Sequence, residues 1–549
     1  MKFFSAIFAA ICLFFSSFFG LFSGTSTYNY KIDTTELRNE IPNIVDNMND
    51  WDMGTSYYNV RNNEKYDVFN FVKYIQLMQC TGGTPERDLF KDPYDTSTFT
   101  DYDFARLIKN CRGILSLGAK PHLKLGGVPI KFTTDYIIGG DFSMNPYPPD
   151  DYNVYYDYIK AVAQALVDEF GLEEVKTWRF GCMTEFENKG WFFAKDETPE
   201  SSEIAYFKLY DYTVQALIDV IGNDVFVGAH CMGVSEGLWD ERNFLKHCAE
   251  GENYATGKKG THISFFSASF YNNSPGDFGG GFTLPELAEH IQKAAKEYGL
   301  NDLIFGIDEG RLLVGINGGS IDKQLNSRIT GYTWQAAYDA RLFKQAIDSG
   351  MDYFSSWAFL TGGKLNGYPT VSYHVANNIY KFAGGKQAKV TKTHMNAGLH
   401  IESDCLASWN EEEQTLRLMV YNFKNDLDYD KNMKVNFNVN VPQLDGKTVT
   451  VTKYLINDDC NFFDEWLEDR KTYGIGDECF SWSPDDPTLE SKTTLSDSKA
   501  IEIYNSELRA RYEECAVLTP VTETVVVENG RIDLNETIEA GNVLFYEIG

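Results

Sequence analysis

From about residue 50 the chain repeats one pattern. A short apolar run ends in Gly or a polar residue, and a longer stretch with one apolar stripe at helical spacing follows it. This predicts strands at Asp52–Ser56, Val72–Met78, Pro121–Leu125, Thr177–Met183, Val225–Ala229, Ile263–Phe270, Leu303–Asp308 and Tyr353–Trp357. Between them, Ile159, Val162, Ala163 and Leu166 fall at i, i+3, i+4 and i+7 and form one helical face. Thr283-Leu-Pro-Glu286 reads as a capping box with Pro in the first turn, opening a helix faced by Leu287, Ile291 and Ala294. Ala336, Ala340, Phe343 and Ile347 make another stripe. Eight such units predict an α/β fold, a (β/α)8 TIM barrel with enlarged loops over residues 45–385. An open doubly wound sheet is the competing arrangement. No Gly-rich phosphate fingerprint follows the first strand, which counts against it.

Near Ala383–Lys386 the alternation stops and the period changes to two. Met433, Val435, Phe437, Val439 and Val441 alternate with polar residues, as in a half-buried strand. Thr448–Thr452, Val525–Val527 and Val543–Ile548 read as further strands, so residues 386–549 are expected to form a β-sandwich domain. Residues 25–44 are a polar lead-in that could donate one strand to it. The acidic, aromatic-rich stretch Asp459–Asp497 carries no clear pattern.

Composition changes this picture in three places. Residues 1–24 hold one Lys and then a nearly unbroken apolar run, the pattern of a secretory signal peptide, with an uncleaved membrane anchor as the alternative. A secreted or cell-surface protein is therefore expected. The net charge of −30 would repel nucleic acid and suits a neutral partner. Of the 10 cysteines, Cys12 would leave with the signal, and the odd remainder has neither a disulfide framework's nor a zinc site's spacing. Cys460, Cys479 and Cys515 are the ones an oxidising compartment could pair; Cys80, Cys111, Cys182, Cys231 and Cys248 read as packed thiols.

Candidate chemistry gathers at strand ends, where barrels place their functional groups. The fourth predicted strand runs into Glu185 and Glu187, surrounded in sequence by Trp178, Phe180, Phe186, Trp191, Phe192 and Phe193. Aromatic walls disfavour an ionised carboxyl and raise its pKa, the property of a general acid. A surface Glu pair beside an apolar loop is the plainer reading. The seventh strand ends in Asp308-Glu309-Gly310-Arg311. Carboxylates on strands four and seven face each other across a barrel mouth, and a pair about 5–5.5 Å apart is the retaining-glycosidase arrangement. An ion pair of Glu309 with Arg311, or Asp308 as the working group, are the alternatives on that strand.

These residues resemble glycoside hydrolase family 39, the family of β-xylosidases and α-L-iduronidases. Its strand-four pattern, Trp-x-Phe, three residues and Asn-Glu, stands here as Trp178-Arg-Phe180-Gly-Cys-Met-Thr184-Glu185. Gly118–Pro129 resembles the family's third strand, Tyr152–Val175 the helix before strand four, and Thr415–Phe423 with Ile456–Trp466 parts of its β-sandwich. The resemblance implies Glu185 as acid/base and Glu309 as nucleophile. It implies Glu187 as a supporting or substrate-facing group, Tyr271 as a hydrogen-bond donor that helps keep the nucleophile ionised, and Trp357 as the floor under the reacting sugar.

The departures fall on the sugar subsite. Thr184 stands where the family has the Asn that binds the 2-hydroxyl, Ser269 where it has His, and Tyr74–Gln79 lacks the usual Arg and His. His122 and His230 are candidates for the mouth, with a buried structural role as the alternative. No metal spacing and no Ser-centred elbow is present, so no cofactor is expected. The implied function is a retaining β-xylosidase-like exo-enzyme on plant-derived oligosaccharides. Rivals are β-galactosidase, β-glucosidase, α-L-arabinopyranosidase or iduronidase-like specificity on the same machinery, or a non-catalytic carbohydrate-binding barrel. Arg179 and Arg311 are the candidates for holding a uronic carboxylate.

Overall fold

The computed structural model describes residues 25–52, 64–140, 142–233, 237–273, 275–313, 332–357, 359, 369–395, 401–473 and 502–549. The 1–24 segment, Cys479 and most of the acidic stretch lie outside them. No helix among the described residues is long and apolar enough to cross a membrane.

The described chain enters through β1 (Ser26–Glu40) and then builds a parallel barrel from eight strands. These are β2 (Asn47–Asp50), β3 (Tyr74–Leu77), β4 (Lys120–Leu125), β5 (Arg179–Cys182), β6 (Val227–Cys231), β7 (Phe265–Asn272), β8 (Ile304–Leu312) and β9 (Tyr353–Phe354), hydrogen-bonded in chain order. A parallel bridge between Met48 and Ser356, with the Asn49 N–H on the Ser356 carbonyl at 3.0 Å, returns the last strand to the first. The expected (β/α)8 architecture is present.

The helix stripes bury as their spacing requires. Ile159, Val162, Ala163 and Leu166 of helix Tyr152–Phe170 are all buried, and the helix is capped by Asp151, whose carboxylate accepts from the Asn153 N–H at 2.8 Å. In the Leu284–Glu297 helix the Glu286 carboxylate reaches back to the Thr283 N–H at 2.8 Å, one arm of the capping box.

The first barrel strand is corrected: it runs Asn47–Asp50, not Asp52–Ser56, and residues 53–56 lie outside the described ones. Its four residues Asn-Met-Asn-Asp carry no apolar run, yet all four are buried. The amides are spent inside the barrel, Asn49 Nδ2 donating to the Asp308 carbonyl at 2.8 Å. A hydrophobicity pattern cannot register a strand whose inward positions are polar and paired.

The remaining strands are β10 (Lys386–Met395), β11 (Cys405–Asn410), β12 (Thr415–Tyr421), β13 (Met433–Asn440), β14 (Thr448–Ile456), β15 (Val521–Val526), β16 (Arg531–Ile538) and β17 (Val543–Ile548). With β1 they form one mixed sheet in the order β15-β14-β17-β12-β11-β10-β1-β13-β16. The β10–β11 joint rests on only two residue pairs, Lys386–Trp409 and Gln387–Ser408. There the sheet folds over, so that Phe437 of β13 meets Tyr546 of β17 edge-on at 5.8 Å and Lys453 of β14 reaches Glu536 of β16 at 2.8 Å. The result is a β-sandwich with its own core around Tyr30, Trp409, Leu418, Val435 and Val451. β1 lies between β10 and β13, so residues before the barrel complete a sheet made after it. Cys460 and Cys515 are free thiols.

Gly181 on β5 marks a tight point of the barrel interior. A Cβ there would sit 1.9 Å from His230 Nε2. Gly181→Ala should therefore cost about 1–3 kcal/mol through overpacking. Urea unfolding checks this; an unchanged midpoint would mean that His230 moves aside freely.

Candidate active site

At the end of β5 the backbone turns sharply. Met183 has φ +62° and Glu185 φ +42°, two left-handed non-Gly residues within three positions. Each costs on the order of 1–3 kcal/mol, and such outliers concentrate at working sites. The turn closes with the Asn188 N–H on the Glu185 carbonyl at 2.7 Å. Asn188 Nδ2 (2.8 Å) and Trp191 Nε1 (3.1 Å) both donate to Glu185 Oε2. Burial first, then the charge of Glu309, push the Glu185 carboxyl up to about 7.

Glu309 depends on an irregularity. β7 and β8 pair Ala268 with Ile307 and then Ser269 with Glu309, so Asp308 is an extra residue on β8. Along a regular strand neighbouring side chains point to opposite faces. The bulge breaks that alternation and lets Asp308 and Glu309 reach the same group, Lys124 at the end of β4. Lys124 Nζ lies 2.6 Å from Asp308 Oδ2, 2.8 Å from Glu309 Oε1 and 2.9 Å from Thr184 Oγ1, fully buried. Thr184 Oγ1 in turn donates to Glu309 Oε1 at 2.8 Å. On the other oxygen, Tyr271 donates to Oε2 at 3.1 Å and itself accepts from Trp357 Nε1 at 2.7 Å. An ammonium and two hydroxyl donors on one carboxyl favour its ionised form.

Below lies a polar interior. The Asp308 carbonyl accepts from Asn49 Nδ2 and, at 2.7 Å, from Gln76 Nε2. Burial, outweighing the pull of Lys124, raises the Asp308 carboxyl to about 6. Burial also works against the Lys124 ammonium, yet Asp308 and Glu309 together hold its pKa above the ordinary value. His230 Nδ1 pairs with Ser267 Oγ at 2.6 Å and lies 3.4 Å from Asp308 Oδ2. His122 stacks on His230 at 5.1 Å, and burial depresses the pKa of both.

Several residues singled out in the sequence sit elsewhere than at a sugar-facing wall. Thr184 is fully buried between Lys124 and Glu309. His122 is mid-strand in the barrel interior. Glu187 is fully buried, accepting on Oε1 from the Met232 (2.6 Å) and Gly233 (3.1 Å) N–H groups, so it supports the loop after β6. Arg311 pairs with Asp339 at 2.6 Å, both out of solvent, and Arg179 stacks on Tyr74 at 3.7 Å at the start of β5, the opposite end of the strand from Glu185. Neither arginine is placed to meet a uronic carboxylate.

Three residues the sequence reading passed over belong to the site: Lys124, Asn188 and Trp51. A charged residue in Lys120–Leu125 was the only available signal for Lys124. Trp51 stacks between Trp191 (6.2 Å) and Trp357 (6.4 Å), and Phe142 covers Trp191 at 4.2 Å, giving an aromatic wall beside Glu185. Among the described residues Asp240, Glu241 and His290 could bring three metal ligands together, but Arg242 already engages Asp240 at 2.5 Å.

The chain matches glycosyl hydrolases family 39 over residues 90–474, well over half its length, and belongs to that family. It is similar to a β-xylosidase of Geobacillus stearothermophilus, 31% identical over 150 residues, which are 27% of this chain and 28% of that one. A β-xylosidase of Caldicellulosiruptor saccharolyticus is 26% identical over 185 residues, 34% of this chain and 36% of the relative. The chain thus spans about a third of the length of the curated relatives it matches. In fold it is similar to a bacterial orthologue of human α-L-iduronidase (TM-score 0.64, 15% identity, 96% of this chain and 84% of that one). It is also similar to a monomeric β-xylosidase of Caulobacter crescentus (TM-score 0.59, 16% identity, 95% and 99%).

The raised Glu185 carboxyl has a thermodynamic signature. Between pH 4.5, its ordinary value, and about 7, the folded protein keeps a proton that the unfolded chain has released. That contribution lowers stability as pH rises through this window. Glu185→Gln removes it, so the variant should gain on the wild type from pH 4.5 to 7.5, by about 3 kcal/mol. Urea unfolding at both pH values tests this; a difference that does not change with pH would sink it.

Proposed function

We propose that the protein is a retaining glycoside hydrolase in which Glu185 is the acid/base and Glu309 the nucleophile. The observation that carries this reading is the opposed environments of the two carboxyls. Glu185 is held toward its protonated form by burial and by the charge across the mouth. Glu309 accepts from Lys124, Thr184 and Tyr271. Glu185 gives its proton to the leaving oxygen as Glu309 attacks the anomeric carbon. Glu185 then takes a proton from the water that cleaves the glycosyl-enzyme. A non-catalytic binding barrel would have no use for this asymmetry.

A β-xylosidase-like exo-action on plant-derived oligosaccharides is supported by the β-xylosidases among the relatives. The iduronidase-like alternative is disfavoured by Arg179 and Arg311, which are committed to Tyr74 and Asp339. Export through residues 1–24 completes the reading.

Hydrolysis of a panel of aryl glycosides tests the roles. Glu185→Ala should still glycosylate on good leaving groups, stall before deglycosylation and be rescued by azide, whereas Glu309→Ala should be inactive. Aryl β-xyloside should be the best substrate. Full activity in Glu309→Ala would overturn the site, and a different preferred sugar would overturn only the specificity. Export is tested by N-terminal sequencing of the protein made by its own host: an extracellular chain starting near residue 25 is expected, and a membrane-bound chain with Met1 in place would make the segment an anchor.

A further inference from the structure

The fully buried Lys124 stands between two carboxylates, yet no step of the mechanism above is assigned to it. We propose that Lys124, kept charge-balanced by Asp308, is the positioning residue of the nucleophile, fixing the Glu309 carboxylate for attack and for its release from the glycosyl-enzyme. This rests on the reading of Glu309 as nucleophile.

The donor count comes first. An ammonium has three N–H groups, and those of Lys124 go to Thr184, Asp308 and Glu309. None is left over for a substrate. Thr184 is likewise committed: its one hydroxyl hydrogen goes to Glu309, and its oxygen accepts from Lys124. Lys124 and Thr184 thus hold the same carboxylate oxygen from two directions, Oε1, while Tyr271 holds Oε2. Two fixed oxygens define the plane and the reach of the attacking group, the pre-organisation an attack at about 3–3.5 Å requires.

The charges then explain Asp308. When Glu309 attacks, a bond forms between its oxygen and the anomeric carbon, the glycosidic C–O bond breaks, and the leaving oxygen takes the proton of Glu185. Glu309 becomes a neutral ester. Lys124 alone would then be a buried cation without a counter-charge, a state that costs several kcal/mol. Asp308 at 2.6 Å remains as its partner, so the neutral glycosyl-enzyme sits above a neutral pair. Before attack the same arrangement carries one net negative charge, on the group that must donate electrons. The bulge at Asp308 is what allows two consecutive carboxylates to share this ammonium.

Among the described residues, the titratable groups that face Glu309 include Lys124 from β4, Glu185 from the turn after β5, Tyr271 from β7 and Asp308 on its own strand, with His230 of β6 behind Asp308. Lys124 is the cation among them in direct contact. The test is the pH profile of kcat/KM on whichever aryl glycoside of the panel the wild type turns over fastest. Lys124→Met should raise the acid limb by about one pH unit or more, with kcat at pH 6 falling about tenfold or more, because the ionised nucleophile loses its cation. Asp308→Asn should move the limb the other way. An equal loss of kcat/KM at every pH with the limb in place would reduce Lys124 to a structural role and overturn the proposal. If Lys124→Met does not fold, Lys124→Met/Asp308→Asn removes both charges together, and its acid limb must still lie above that of Asp308→Asn. Should Glu309→Ala keep full activity, it is the underlying site assignment that fails instead.

Discussion

Lys124 Nζ lies 2.6 Å from Asp308 and 2.8 Å from Glu309, wholly out of solvent, and much of the upper barrel is organised around the cost of keeping it there. A buried ammonium with one partner missing costs several kcal/mol, so the surrounding groups cannot vary independently. The bulge on β8 brings the second carboxylate, the turn after β5 brings the Thr184 hydroxyl, and the polar strand β2 supplies the amide that holds the Asp308 backbone. The unusual sequence Asn-Met-Asn-Asp of β2 follows from this arrangement, since an apolar strand there would leave the Asp308 carbonyl with fewer partners.

The two carboxyls at the mouth differ because their surroundings differ. Glu185 receives two neutral donors on one oxygen, in a place where burial and the Glu309 charge favour its proton. Glu309 receives a cation and two hydroxyls. One residue type thus stands in two electrostatic settings, with the distinction made by neighbours. The left-handed turn at Met183 and Glu185 is the local cost of aiming the first of these carboxyls inward.

The sandwich takes no part in the site's hydrogen bonds described above, but it shapes how the chain folds. β1, which precedes the barrel, lies between β10 and β13, which follow it, with Tyr28, Tyr30 and Ile32 in the sandwich core. Trp334, opening the helix between β8 and β9, donates to the Lys424 carbonyl at 2.7 Å, and Phe423 packs on its ring at 5.5 Å. Completion of the sandwich therefore draws on segments on both sides of the barrel in sequence.

Helical and strand periodicity, set by 3.6 and 2 residues per repeat, was enough to reveal seven of the barrel strands, the helix faces and the change to mainly β structure near residue 385, though not the helices Phe463–Tyr473 and Arg509–Cys515 within it. Those signals are local, and local signals survive in a one-dimensional string. Glu185 and Glu309 were legible for a related reason: each ends a recognisable strand. What the string could not carry was direction and partnership. Whether Thr184, Glu187 and His122 face a sugar or the interior depends on turns and burial set by other elements. The role of Lys124 depends on a one-residue bulge 184 positions away, whose existence is decided by the register of β7 against β8. The sequence determined the layers and the two acidic strand ends; only the closed barrel decided which groups meet, because a buried charge is defined by neighbours that the chain brings from far along its length.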